Sequence, residues 1–332
     1  MKPSDILETI KAAREARVAI MLHGPPGVGK TSVAELAAEY CNVQLRAMRV
    51  PLYEPVDMTG LPFPSVEKRG RCEYLIPDFM PEEGTEGILF LDELPQASIS
   101  VQCAAMRMVD HLPEGWQVVA AGNRSTDRAG SNQLATHVLS RFTHVDFDVD
   151  RADWQRWSLK ANIEPDIRAF IDTRPDLLFV FDAAIVQKER ANPSPRSWER
   201  ASRIMASTLP EALRLETLMG TVGQGAASEY IGYRRIYLEV PSADDILANP
   251  EKTPVPKEPS ALWAICASLA HRAKTLKTEQ LKPMVTYLAK LPLEFGALLM
   301  TDLLGINAAV FTLAEAGKWI SAHKDIFAGP RR

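Results

Sequence analysis

Residues 24–32 read GPPGVGKTS, between the apolar run VAIML and the helix-like AELAAEY. Glycines in such a loop let the backbone curl until several N–H groups point inward at phosphate oxygens, and the helix that follows turns its own unpaired N–H groups toward the same anion. Lys30 is then placed to reach the β- and γ-phosphates of a nucleotide, and the Thr31 hydroxyl to ligate Mg2+. Gly24, Pro25, Pro26, Gly27, Val28, Gly29 and Ser32 complete the candidate cradle. A ligand-free glycine-rich turn is the plainer alternative.

Further along, ILFLDE sets Asp92 and Glu93 after an apolar run. At the carboxyl end of a buried strand, Asp92 can hold Mg2+ through water, and Glu93 can orient and polarise an attacking water. Two acids that merely open a helix would be favourable there as well. Asn123 closes WQVVAAGN and can hydrogen-bond a terminal phosphate or the water; otherwise it is an ordinary turn former. Arg141, in LATHVLSRFTHVDF, carries a permanent charge suited to the oxygens of a transferring phosphoryl group, or to a surface ion pair. Arg196, in NPSPRSWER, opens a helical segment and is read either as a phosphate contact from a second domain or as a helix-surface arginine.

Strands and helices alternate over the residues that hold the first four of these groups. Ser4 is the expected N-cap of a helix through about Ala16. RVAIMLH, VQLRAMRV, GILFL, WQVVAA and THVDFDV are the expected strands. The fold class expected for residues 1–150 is therefore α/β, a doubly wound parallel sheet. Residues 61–78 interrupt it with a proline- and glycine-rich insertion, a loop or hairpin on the surface. From residue 151 the spacing is helical, which predicts an all-helical domain over 151–240. PSADDILANPEKTPVPKEP, residues 241–259, reads as an extended proline-rich linker before a helical region at 260–332.

The whole chain has 332 residues, a formal net charge of -4 and 24% charged residues, so nothing draws it generally toward nucleic acid or anionic lipid. Lys68, Arg69 and Arg71 are the basic cluster of the insertion, without interleaved aromatics. Cys41, Cys72, Cys103 and Cys266 form no CxxC, which points away from zinc and disulfides and toward a reducing, cytoplasmic setting. The N-terminus lacks a signal-peptide core and no stretch reaches transmembrane length, so no membrane insertion is expected.

Taken in order, GPPGVGKTS, ILFLDE, VVAAGN, LSRF and SPRSW resemble the Walker A, Walker B, sensor 1, arginine-finger and sensor 2 elements of AAA+ ATPases, and the chain is most similar to the MoxR-like group. The resemblance covers roughly residues 1–240, with VDMTGLPFP where that group carries its helix-2 insertion. It implies ATP and Mg2+ as cofactors and a homo-oligomeric ring, usually a hexamer, in which Arg141 acts on a neighbour's nucleotide. It also implies remodelling of a protein client, often beside a von Willebrand factor A domain partner. Two departures stand out. DELPQAS replaces the group's DEINRA-like segment, so only Asp92 and Glu93 carry over, and VDHLPEGWQVV leaves little room for a hairpin before Asn123. The competing functions are a nucleic-acid-stimulated motor and a non-hydrolysing, nucleotide-controlled scaffold; the latter would normally lack the acid at Glu93.

Overall fold

The structure is a computed structural model that describes residues 1–66, 69–124, 134–182 and 190–327. Lys68 therefore lies outside the described residues. Two compact units divide the chain: Met1–Asp153 with Phe181 and Asp182, and Trp154–Val180 with the described residues from Arg190 onward.

In the first unit, helix α1 (Pro3–Glu15) buries Ile6 and Ile10, one turn apart, against strand β1 (Ala19–His23). Its N-cap is the extended Lys2, with Pro3 in the first turn; Ser4 is not the cap, because its backbone N–H donates to Asp153 Oδ2 at 2.7 Å. Helix α2 (Lys30–Cys41) turns Val33, Ala34, Ala37 and Ala38 inward. Strand β2 (Gln44–Arg49) follows, then the short helix α3 (Pro55–Thr59) and an antiparallel hairpin, β3 (Leu61–Pro64) with β4 (Cys72–Leu75). The insertion expected over 61–78 is thus a hairpin, with every strand residue exposed.

Strand β5 (Gly87–Asp92), helix α4 (Ile99–Asp110), strand β6 (Trp116–Gly122), helix α5 (Thr136–Leu139) and strand β7 (Phe142–Asp146) complete the core. Among the described residues the main sheet has five strands in the order β2-β5-β6-β1-β7, every pairing parallel. Residues of β5 up to Leu91 and all of β6 are buried, as central strands covered on both faces must be. Register aligns the carboxyl ends: Arg49 opposes Asp92, Leu91 opposes Ala120, and His23 lies between Gly122 and Asp146. The last strand stops at Asp146, short of the expected Asp150.

Among the described residues the second unit holds helices and no strand: α6 (Arg151–Lys160, which begins in the first), α7 (Pro165–Thr173), α8 (Pro195–Met205), α9 (Glu211–Val222), α10 (Gln224–Glu239), α11 (Ala243–Ala248), α12 (Pro259–Ala273), α13 (Lys282–Leu288), α14 (Leu293–Ile306), α15 (Ala314–Ala322) and α16 (Lys324–Phe327). An α/β parallel-sheet unit followed by helices is the fold class expected from the sequence. The proline-rich stretch differs from its expectation as an extended linker. Pro241 and Pro250 bracket α11 rather than interrupt it, Ser242 and Asp245 form its capping box, and Pro259 occupies the first turn of α12. Ala243 and Ile246 then join Leu262, Ile265 and Leu269 in one hydrophobic core, so residues on both sides of 241–259 belong to one compact unit. Inside α7, the buried Asp166 carboxylate accepts from Tyr230 at 2.8 Å and Arg234 at 3.1 Å; burial raises its pKa against the pull of both donors.

Gly87 opens β5 where a Cβ would stand 2.4 Å from the Trp116 ring and 2.8 Å from the Gln44 carbonyl oxygen. Gly87→Ala is expected to destabilise the chain by about 1–3 kcal/mol, the usual cost of overpacking. Urea unfolding followed by tryptophan fluorescence measures it, and an unchanged midpoint would contradict the close packing.

Candidate nucleotide site

The phosphate loop leaves β1 at His23, and the Gly24 N–H donates to the Gly122 carbonyl at 3.2 Å, tying the loop to the end of β6. A Cβ on Gly24 would stand 3.0 Å from Phe147 Cβ, so the position is close to filled. Gly27 and Gly29 have φ of +80° and +106°, the left-handed region that side chains disfavour. Gly29 is also the N-cap of α2, so the curl of the loop and the start of the helix are one feature. Pro25 and Val28 are buried, while Pro26 and Ser32 are half-buried on the same loop and first helical turn.

Lys30 Nζ donates to the carbonyl oxygens of Gly24 at 2.6 Å and Pro25 at 2.9 Å, and to Asn123 Oδ1 at 3.1 Å. With its amide oxygen turned to Lys30, Asn123 presents its NH2 group as a donor. Thr31 Oγ1 donates to Asp92 Oδ2 at 3.2 Å. A hydroxyl beside a carboxylate is an oxygen pair that suits Mg2+, which takes few protein ligands and completes its shell with phosphate and water. Lys30, Thr31, Asp92 and Asn123 therefore meet at one edge of the sheet.

Glu93 sits one residue beyond Asp92 with φ +58° and ψ +29°, and its N–H donates to Asp92 Oδ1 at 3.0 Å. Its carboxylate accepts from Arg49 at 3.0 Å. That pair is largely solvent-exposed, with the Arg49 side chain 62% accessible, so it restrains Glu93 only weakly. Glu93 is the N-cap of a short 3-10 helix, Leu94–Gln96, without a side-chain capping bond, and Pro95 packs where a Cβ on Gly122 would be.

Arg141 lies between α5 and β7 and is engaged within its own chain. Its Nε and Nη2 donate to the Asp110 carboxylate at 3.0 and 2.9 Å, and Nη1 donates to the His137 carbonyl at 2.7 Å. The guanidinium hydrogen bonds hold the Asp110 carboxyl below its usual range and push the Arg141 pKa up. Arg196 is exposed in the first turn of α8, whose cap is Ser194, and belongs to the second unit.

Four neighbours carry no local signal in the sequence. Arg49 reaches Glu93 because β2 pairs with β5; nothing local announces that pairing. Arg124, next to Asn123, donates to Asp146 Oδ1 at 2.9 Å. The His23 and His144 rings meet at 2.8 Å between nitrogens, and burial, then the His144 charge, lower the His23 pKa. His23 ends β1, and His144 lies in the middle of β7, opposite Met21.

The left-handed backbone of Glu93 costs an L-residue about 1 kcal/mol. Glu93→Gly is expected to leave stability unchanged, or higher by up to about 1 kcal/mol, because glycine relieves the strain at its own entropic cost. A matched pair of urea melts checks this, and a loss of stability would show that the Glu93 side chain holds the fold together.

Residues 20–143 match the ATPase family associated with various cellular activities, AAA. Among curated proteins, the Holliday junction branch migration complex subunits RuvB of Rhodospirillum centenum and Gluconobacter oxydans are 28% identical over 99 residues and 26% identical over 96, or 30% and 29% of this chain. The chain spans 23% of the length of each of these relatives. Among solved structures, the Thermotoga maritima RuvB Holliday junction branch migration motor aligns over 82% of this chain and 83% of its own, at 19% identity and a TM-score of 0.37. A DNA polymerase III gamma subunit-related protein of Thermotoga maritima aligns over 96% and 90%, at 15% identity and a TM-score of 0.30. The stretch from β1 to the first residues of β7 is thus the part of this chain that is similar to the AAA ATPase family.

Proposed function

We propose that the chain is a Mg2+-dependent ATPase of the MoxR-like AAA+ group that works in a homo-oligomeric ring, a hexamer, and remodels or activates a protein partner. The observation that carries the catalytic part is the pairing, at the strand ends, of Lys30 with Asn123 at 3.1 Å and of the adjacent Thr31 with Asp92 at 3.2 Å. Lys30 exchanges carbonyl oxygens of its own loop for terminal phosphate oxygens, a stronger, charge-assisted contact. The Thr31 hydroxyl and Asp92 would hold Mg2+, which would supply positive charge against the phosphates. Glu93 leaves Arg49 to accept a proton from the attacking water, and Asn123 donates to the γ-phosphate or to that water. Arg141 supplies a cation to the nucleotide of the neighbouring subunit, and Arg196 touches phosphates from the helical unit.

The client is a protein, with a von Willebrand factor A domain protein as the partner suggested by the MoxR-like resemblance. Free Cys41, Cys72, Cys103 and Cys266 support a reducing, cytoplasmic location. Among the described residues no helix is long and apolar enough to cross a membrane. A nucleic-acid-stimulated motor is the second reading, favoured by the stretch similar to the RuvB subunits. The net charge of -4 counts against it.

Arg141→Ala and Glu93→Gln subunits, each nearly inactive alone, are expected to recover phosphate release when mixed. Some interfaces then join an intact Glu93 to an intact Arg141. Labelled subunits first establish that chains exchange. With exchange shown, no recovery at any ratio would refute the trans-acting role of Arg141. Stimulation of the wild type by single-stranded DNA, but by no protein partner, would favour the second reading.

A further inference from the structure

The hairpin β3–β4 has one edge that can pair with another strand and one that cannot. Its register sets Leu61 opposite Leu75, Pro62 opposite Tyr74, Phe63 opposite Glu73 and Pro64 opposite Cys72. The Ser65 N–H donates to the Arg71 carbonyl at 2.9 Å, which makes that pair a hydrogen-bonded one. Bonded and open pairs alternate along an antiparallel ladder. Phe63 and Glu73, like Leu61 and Leu75, therefore turn their backbone groups inward, whereas Pro62, Pro64, Cys72 and Tyr74 turn theirs outward. On β3 both outward positions are proline, so that edge has no N–H to offer a further strand. On β4 the outward positions keep donor and acceptor, and among the described residues no hydrogen bond engages the backbone of Cys72 or Tyr74.

The hairpin is also incomplete by itself. A two-stranded ribbon exposed on both faces is marginal in water, and a third strand is the usual remedy. Leu75 is 56% exposed and Ile76 79%, so apolar side chains stand at the end of the open edge. Arg69 and Arg71 are exposed at the turn, which favours an acidic group on whatever lies alongside. A second copy of β4 would bring Glu73 as its one acid, and that carboxylate already accepts from Ser65.

We propose that β4 is a docking edge for an extended segment of a partner protein, which adds as a third strand with alternating apolar side chains and an acidic residue beside Arg69 and Arg71. The proposal rests on the protein-partner reading and specifies its chemistry: main-chain hydrogen bonds give affinity, while apolar and acidic side chains give selectivity. The closed β3 edge prevents copies from stacking β3 on β4 into a growing sheet.

The test uses the full chain without nucleotide and a fluorescein-labelled decapeptide of alternating valine and threonine that ends in Asp-Glu, read by fluorescence anisotropy. Tyr74→Pro removes an outward N–H without deleting a bond of the hairpin's own ladder, as Pro62 already does opposite. It is expected to weaken binding by about tenfold or more, the worth of one or two main-chain hydrogen bonds, while Tyr74→Phe stays within about twofold. N-methylating alternate amides of the peptide is expected to do the same as Tyr74→Pro, and replacing Asp-Glu by Lys-Lys to weaken binding by about fivefold. No binding of the acidic peptide, or equal binding by Tyr74→Pro or by the N-methylated peptide, overturns the proposal. So does self-association of the wild type that Tyr74→Pro abolishes, since the occupant is then a second copy. Phosphate release is measured separately: peptide binding without turnover refutes the ATPase reading and leaves the docking edge standing, and turnover without peptide binding does the reverse.

Discussion

Parallel pairing of β5, β6 and β1 is the constraint on which the site depends. Because each pairing is parallel and in fixed register, the strands end in one row, and whatever follows each strand is delivered to the same edge. The row delivers the phosphate loop after His23, Asp92 and Glu93 at the end of β5, and Asn123 after Gly122. A one-residue slip of β5 would move Asp92 by about 3.3 Å and turn its side chain to the other face, separating it from Thr31. Burial of the central strands on both sides opposes such a slip, since β5 up to Leu91 and all of β6 are committed to packed positions.

Around that row the backbone is bent where side chains must converge. Gly27 and Gly29 take left-handed conformations so that the loop can fold back over the start of α2, and Lys30 reaches the loop's own carbonyl oxygens as a result. Glu93 takes the same kind of conformation without being glycine. The strain has an effect on the site, because it directs the Glu93 N–H back to Asp92 and the carboxylate outward to Arg49. Strain of this kind persists where neighbouring structure over-determines it, as the 3-10 turn and the packing of Pro95 beside Gly122 do here.

Local chemistry was legible in the sequence where one short segment carries its own instructions. GPPGVGKTS contains the glycines, the cation and the hydroxyl in a single loop, and ILFLDE contains both its strand and its acids. Pairing was not legible, since the neighbour of Glu93 depends on which strand lies beside β5, and Arg49 is more than forty residues away in the chain. The 241–259 stretch departs from an extended linker because the placing of its prolines matters more than their number; a pair that brackets eight residues permits a capped turn of helix, and Ser242 with Asp245 supplies the cap. Arg141 shows a different boundary. Its place before β7 was readable, but its ion pair with Asp110 depends on α4 ending beside it. The alternating prolines of β3 were visible from the start, yet their meaning required the register that turns both outward.

The account stands on the claim that this strand edge binds Mg2+-ATP and that Glu93 turns binding into hydrolysis. Its most direct test is phosphate release from Mg2+-ATP by the wild type and by Glu93→Gln, with nucleotide binding titrated on the same two preparations. The account predicts equal binding stoichiometry, with sustained release by the wild type alone. Equal release by both chains, or no nucleotide binding by the wild type, would contradict it.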